Sequence, residues 1–387
     1  MVELFIAFRH IVERKFQSIF SVLGVAIAVT VFVVSLTVSN GLEKNMITSL
    51  LTLSPHILIK NAKDTYFESY QDILEKTEGI KDVKAVIPQI SSQSIIKFEG
   101  FAKGVLADGI SAENVKNDLK LKILKGNNDI SELNSILIGE ELSREMDIAP
   151  GAELSLVSAD NKEIKLIVRG IFKTGFLDYD ANLVIVPLKT MQILTERGEV
   201  ATEVGIKVEN PQKVENALIG VLSNLPENEY RILSWKHINQ NLLNAVQFEK
   251  FVLVAILSLL LIIACFAVSV ILNMIVREKI KDIGILKSIG YTNTNIRRIF
   301  TIEGMIIGVS GMLLASAISP LVLIILKKLF KVYMKNSYYY LEELPLYISV
   351  NELVTVYAVT FIVVFISTIY PAVRASRMKP VEALKHE

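Results

Sequence analysis

Long stretches without charge alternate along this chain with stretches that carry charge throughout. Residues 19–39, 251–276, 299–326 and 353–373 form apolar runs, the second uncharged over 26 positions. At about 1.5 Å per helical residue, a run of that length crosses a bilayer core with some tilt. The pattern therefore predicts four transmembrane helices. Residues 40–250 carry dispersed charge and short alternating strand and helix patterns, which predict a large α+β domain between the first two helices. Within it, 56–60 and 83–87 read as strands flanking a helix, where Tyr66, Tyr70, Ile73, Leu74 and Thr77 keep helical spacing. Residues 135–138 read as a strand leading into a helix over 140–146. After the Pro150-Gly151 turn, 153–157 and 163–172 predict a hairpin turning at Asp160-Asn161. Residues 183–186, 204–208 and 231–233 add strands, and 211–225 a helix opened by proline. The domain forms one lobe or two.

The flanks set the orientation. Residues 1–18 place Phe5, Phe8, Ile11, Val12 and Phe16 on one side, with Arg9, Arg14 and Lys15 supplying charge. Such a segment fits a helix lying in the membrane interface. A cleaved signal peptide is the rival reading of 19–39, but the run exceeds the usual apolar length and its basic leader is long. Between the second and third spans, residues 277–298 hold Arg277, Lys279, Lys281, Lys287, Arg297 and Arg298 against Glu278 and Asp282. Excess basic charge in a short loop marks the cytoplasmic side. Segments 1–18, 277–298 and 374–387 hold 13 Lys and Arg against 4 in residues 327–352, so both termini are expected in the cytoplasm. The 277–298 loop is also predicted to fold. Ile280, Ile283 and Ile289 recur at helical spacing, Gly290 suits the position after a helix end, and Thr292 to Asn295 offer N-caps for the third span.

In the third span Gly304, Gly308, Gly311, Ala315 and Ser319 share a narrow face, predicting a tight helix–helix or subunit contact. Glu303 sits one turn inside and is expected to anchor on Arg297, Arg298 or water, with a proton relay as the rival reading. Residues 327–352 are expected as an external loop whose Tyr338-Tyr339-Tyr340 cluster suits an aromatic belt.

Composition narrows the function. With 51% hydrophobic and 21% charged residues and a mean hydropathy of +0.45, the 387-residue chain is too apolar for a soluble protein and too charged for spans alone. A net charge of +1 offers no field for nucleic acid. Cys265 is the single cysteine, and His10, His56, His237 and His386 are scattered, which speaks against a disulfide and against a histidine metal site. No G-x-x-x-x-G-K-[ST] occurs, so ATP is not hydrolysed by the loop that cradles nucleotide phosphates. The domain over 40–250 shows no catalytic constellation, and the chain is expected to be non-catalytic and to bind no cofactor or metal itself.

Several stretches then acquire meaning together: Val38-Ser39-Asn40-Gly41-Leu42, Leu137-Ile138-Gly139-Glu140-Glu141-Leu142, the run EKIKDIGILKSIG over 278–290, and Leu344-Pro345-Leu346-Tyr347-Ile348. Ile369-Tyr370-Pro371-Ala372-Val373-Arg374-Ala375 and Pro380-Val381-Glu382-Ala383-Leu384 follow. In this order they resemble the lipoprotein-releasing permeases of the Lol system, within the wider group of MacB-like and FtsX-like ABC transporter subunits. The resemblance implies a bacterial inner-membrane protein that works as one of two permease subunits, identical or paralogous. Two copies of a separate cytoplasmic ATPase, carrying ATP and magnesium, would drive it. It implies extraction of acylated lipoproteins from the outer leaflet and delivery to a periplasmic chaperone. A MacB-like exporter of peptides or toxins, an FtsX-like regulator of cell-wall hydrolases and a plain membrane anchor are the competing readings. One departure is visible, because the chaperone-binding permease of that family has a longer, proline-containing hook where this hairpin turns at Asp160-Asn161.

Two candidate sites follow. In the first, Ile283, with Ile280 or Ile289, enters an apolar cleft of the ATPase while Glu278, Lys281 and Asp282 form rim pairs. Gly284 permits close approach there and Gly290 ends the helix. In the second, acyl chains lie between spans one and two near Val34, Val38, Phe251 and Val254.

Overall fold

The computed structural model describes residues 2–77, 79–119, 121–226, 228–334 and 343–378. Helices α1 (Val2–Glu13) and α2 (Lys15–Leu53) open the chain. Then come β1 (Ile57–Asn61), α3 (Gln71–Thr77), β2 (Val83–Phe98), β3 (Phe101–Ile110), α4 (Ala112–Asn117), β4 (Lys122–Gly126), β5 (Ser135–Gly139) and α5 (Glu140–Glu145). They are followed by β6 (Glu153–Ser158), β7 (Glu163–Lys173), α6 (Leu177–Asn182), β8 (Leu183–Pro187), α7 (Leu188–Thr195) and β9 (Glu203–Val208). Next are α8 (Val214–Asn224), β10 (Tyr230–Ser234), α9 (Trp235–Ile238), α10 (Gln240–Glu278), α11 (Ile280–Ser288), α12 (Asn293–Met334) and α13 (Val350–Ser376). The chain divides into two compact units, Met1–Lys44 with Ala245–Glu387, and Asn45–Asn244.

In the first unit α2, α10, α12 and α13 are each long and apolar enough to cross a membrane. Their facing sides meet in one apolar cluster that includes Val29, Phe32, Leu36, Leu257, Leu261, Ile307 and Val364. Their other sides stay apolar and exposed, as Phe251, Ile256, Leu259, Ile263 and Phe266 of α10 show, which suits lipid as the neighbour. The third apolar run does not end in a loop at residue 326. Leu329 and Val332 continue the helical pattern, and Glu343 pairs Lys327 at 2.8 Å and Lys331 at 3.5 Å, so α12 persists to Met334. The tyrosine cluster over 338–340 and the 380–384 motif lie outside the described residues. Helix α1 exposes Phe5, Phe8 and Val12 and buries Ala7 and His10, the arrangement expected of an interfacial helix seated on protein with its back, and the exposed Phe16 opens α2 beside it.

The second unit is an α+β domain whose strands run in the order β10-β1-β9-β2-β3-β8-β5-β7-β4, with β6 bridging β2 and β7. Strand β2 joins two lobes. Residues 83–89 pair with β9, whereas 90–98 pair with β3 and, over 94–97, with β6. One lobe packs around Ile57, Ile59, Ile73, Ile206 and Trp235, the other around Ile96, Ile136, Leu154, Leu166 and Val184. The predicted strand over 83–87 is thus far longer, and its partner β3 was not legible. Pro88 and the polar run Ser91 to Ser94 break the apolar alternation, and the two-residue turn is Glu99-Gly100 rather than a stronger hairpin signal. Both turn residues have positive φ, 46° and 85°, as a type I′ turn demands. The helix expected from Tyr66 starts only at Gln71. The β6–β7 hairpin is present, with its turn confined to residues 159–162.

This domain buries ionisable groups. Lys207 Nζ donates to the carbonyls of Leu51, Thr52, Leu53 and Ser54 at 3.0, 3.2, 3.3 and 2.7 Å, capping the C-terminal end of α2 as a helix dipole favours. Burial pushes Asp108 up to about 7, while the Ser91 hydroxyl donates to it at 2.5 Å. Burial lowers His56 to about 4. The two act oppositely on stability. Native Asp108 holds its proton above the unfolded carboxylate range, so its contribution is present near pH 4 and is lost as pH rises through 7. Native His56 releases its proton early, so its contribution rises over the same window. Subtraction separates them. In urea unfolding followed by Trp235, the single tryptophan and a buried one, the stability of the native protein relative to Asp108→Asn should fall from pH 4 to 7. A pH-independent difference would contradict a raised pKa at the half-buried Asp108 carboxyl.

Candidate coupling site

Helix α11 is short, and both its ends are built by local chemistry. Gly290 (φ 105°) takes the position after the helix end, its N–H donating to Lys287 O at 3.1 Å, and Tyr291 N–H donates to Leu286 O at 3.0 Å. This paired pattern terminates helices because a residue without Cβ tolerates the left-handed backbone. Thr292 Oγ1 then accepts from Asn295 N at 3.3 Å and opens α12. Lys287 Nζ reaches the carbonyls of Ser376 and Met378 at 2.6 and 2.7 Å, tying α11 to the end of α13, and desolvation there lowers its pKa.

The face expected to dock outward is turned inward. Ile283 is 2% exposed and packs with Ala7, Ile275, Ile296, Phe300 and Ala375 in a cluster drawn from α1, α10, α12 and α13. Gly284 is buried beside it. The outward face carries Lys281, Ile285, Ser288 and Ile289, at steps of four, three and one that keep to one side of a helix. Ile285 is 53% and Ile289 69% exposed; Ile280 is half-buried. The sequence pattern points Ile283 at the partner together with Ile280 or Ile289, but Ile289 lies about 120° from Ile283 around the helix, so the two do not share one face. Periodicity finds a stripe but does not say which neighbour covers it.

Two of the three expected rim charges are engaged within the chain. Glu278 pairs with Arg14 at 2.9 Å, and Asp282 with Lys279 at 3.1 Å. Lys279 also reaches Glu13 at 2.7 Å, and that ammonium, with Arg9 behind it, holds Glu13 down to about 2. Lys281 remains exposed on the outward face. These pairs fasten α1 to the start of α11. Deeper in, Glu303 meets His10 of α1, Oε2 to Nδ1 at 3.4 Å, rather than Arg297 or Arg298, which stand exposed. The tie was invisible in sequence because 293 residues separate its partners.

The remaining predicted positions fall inside the bundle. Gly304 and Gly308 of α12 lie against Thr368 and Val364 of α13, Gly311 against Val25 of α2, and Ala315 is fully buried. The small-residue stripe therefore serves contacts within the chain. Of the acyl-groove candidates, Val34 is buried, Val38 and Val254 are half-buried and Phe251 is 68% exposed. Val33, Leu36, Leu253, Val254 and Leu257 at this level belong to the apolar cluster shared by α2, α10, α12 and α13.

Known proteins match both units. The family model described as FtsX-like permease C-terminal matches residues 253–380, and the MacB-like periplasmic core domain matches residues 18–219. The lipoprotein-releasing system transmembrane protein LolC of Neisseria meningitidis serogroup B is 24% identical over 413 residues, covering 100% of this chain and 99% of the relative. LolC of Xylella fastidiosa (strain Temecula1) is 26% identical, with 96% and 94% covered. LolE of Haemophilus influenzae is 23% identical, with 94% and 93% covered. Among solved structures, the periplasmic region of MacB from Actinobacillus actinomycetemcomitans aligns at 14% identity and a TM-score of 0.37, covering 51% of this chain and 98% of that one. Four apolar helices, a two-lobed domain between the first two of them, and full-length likeness to LolC and LolE place this chain in the MacB/FtsX-like permease group, in the LolC/LolE family of lipoprotein-releasing system permeases.

Proposed function

We propose that the protein is the permease subunit of an ABC transporter that withdraws acylated lipoproteins from the outer leaflet of the bacterial inner membrane. The observation that carries this reading is likeness to the lipoprotein-releasing relatives over the whole length, membrane helices and core domain alike. The excess of basic residues in the short segments supports a cytoplasmic location for α1, α11 and the C-terminus, with the Asn45–Asn244 domain outside. A separate ATPase in two copies supplies the energy, docking on Ile285 and Ile289 of α11. A second permease, identical or paralogous, completes the membrane part. Because α11 is fastened to α1, α12 and α13 through Ile283 and Lys287, a push on its outward face moves the bundle rather than bending a loop.

The substrate's acyl chains enter beside Phe251, Val38 and Val254. Each buried methylene there contributes about 0.8 kcal/mol, so the chains need an apolar groove before any polar domain receives them. A periplasmic chaperone accepts the lipoprotein afterwards, and the short turn at residues 159–162 supports its capture on another surface. Replacing Phe251 with a benzophenone amino acid tests the reading. Irradiation in spheroplasts should crosslink palmitate-labelled lipoprotein in an ATP-dependent manner, and a reporter at Phe251 that captures only phospholipid would refute it.

A further inference from the structure

Three apolar runs reach their first polar residue at the same end of the bundle. Those residues are Asn40 at the end of the run in α2, Lys250 before the run in α10, and Glu352 before the run in α13. All three touch. Lys250 Nζ lies 2.7 Å from Asn40 Oδ1 and 2.8 Å from Glu352 Oε1, and the Asn40 amide donates to Glu352 Oε2. Glu43, one turn further along α2, adds a carboxylate 3.7 Å from the same ammonium.

A strap closes over α2 beside them. Tyr347 N–H donates to Thr37 O at 3.2 Å, and Lys44 Nζ sits 3.9 Å from the centre of the Tyr347 ring. Gly41 makes this fit, since a Cβ there would strike the Pro345 carbonyl. Two motifs far apart in sequence, at 38–42 and 344–348, thus meet at one place.

We propose that Lys250, Asn40 and Glu352 form a latch that shuts the outer mouth between α2 and α10, and that this latch must open before an acyl chain can enter. The proposal rests on the acyl groove placed between these helices under the proposed function. Lys250 immediately precedes Phe251, and Asn40 follows Val38 by two residues, so the latch spans the mouth of that groove. Below it Val34 is buried and Val254 packs, half-buried, against the apolar cluster of the bundle. Because one ammonium binds both α2 and α13, parting α10 from α2 breaks its bonds to Asn40 and Glu352 together. An isolated pair with side chains 30% and 33% exposed contributes little. Here three helices share one cation and Asn40 is only 6% exposed, so the groups act as a unit. The latch is therefore firm enough to hold the mouth and weak enough to release.

The test reads opening directly. In a Cys265→Ala background, Val34→Cys is placed in the full-length protein in membranes and labelled with a lipid-soluble maleimide. Lys250→Gln and Glu352→Gln should each raise the labelling rate about five- to tenfold, and the double variant no further, as coupled residues behave. Lys250→Arg should stay near the starting rate. Val25→Cys, buried on α2 farther from the mouth, should label no faster in any variant. Unchanged labelling at Val34, additive effects, or an equal rise at Val25 would each overturn the latch. The readout needs no lipoprotein, so a latch that responds while no lipoprotein crosslinks at Phe251 would indict the substrate reading alone.

Discussion

Ile289→Asp is expected to abolish co-purification of the cytoplasmic ATPase while the protein stays folded in the membrane. Ile285 and Ile289 stand one turn apart on the outward face of α11, exposed and apolar, with Lys281 beside them. An apolar anchor buried at an interface costs about 2 kcal/mol or more when truncated, roughly thirtyfold in affinity. Aspartate adds the penalty of an unpaired buried charge. Ile285→Asp should act alike, and Lys281→Ala far less, because rim charges contribute little. The contrasting variant is Ile283→Asp. It would place a carboxylate among Ala7, Ile275 and Phe300 and so should remove the protein itself, seen as lost membrane accumulation. If Ile289→Asp retained the ATPase and Ile283→Asp released it from a folded protein, the face assignment would be reversed.

The second large effect is expected at Gly304. A Cβ there would lie 2.8 Å from Leu272 Cδ1 and nearer still to Thr368 Cγ2. Close-packed interiors resist added methyl groups, at about 1–3 kcal/mol each. Gly304→Ala should therefore lower the thermal unfolding midpoint in detergent by several degrees, and Gly304→Val should prevent accumulation. Thr368→Ser removes the obstructing methyl and keeps the hydroxyl that donates to Phe365 O at 2.7 Å, so it should restore much of the loss in Gly304→Ala. Gly24 of α2 is the control. A Cβ there meets nothing within 4 Å, and alanine should be neutral or stabilising by about 0.5–1 kcal/mol through helix propensity. Equal midpoints for the two alanine variants would show that the glycine stripe of α12 is not a packing surface.

The four spans, the intervening α+β domain, the folded segment after the second span and its glycine stop were all legible in the sequence. These features depend on local quantities: uncharged run length, basic residues at run ends, a residue that accepts left-handed backbone. A continuous helix needs no distant partner for its hydrogen bonds, so its pattern is complete within itself. What the tertiary structure decided is which way each stripe faces. Ile283 and Ile289 lie about 120° apart around one helix, and only the tertiary structure shows that the first lies under α1, α12 and α13 while the second is exposed. Likewise β3 waited on its pairing with β2, and Glu303 on His10 arriving from the other end of the chain. Lys250 marked only a domain boundary until α2 and α13 brought Asn40 and Glu352 to it. Burial and ion pairing are relations between residues distant in sequence, and periodicity, which is a property of one segment, carries no record of the partner.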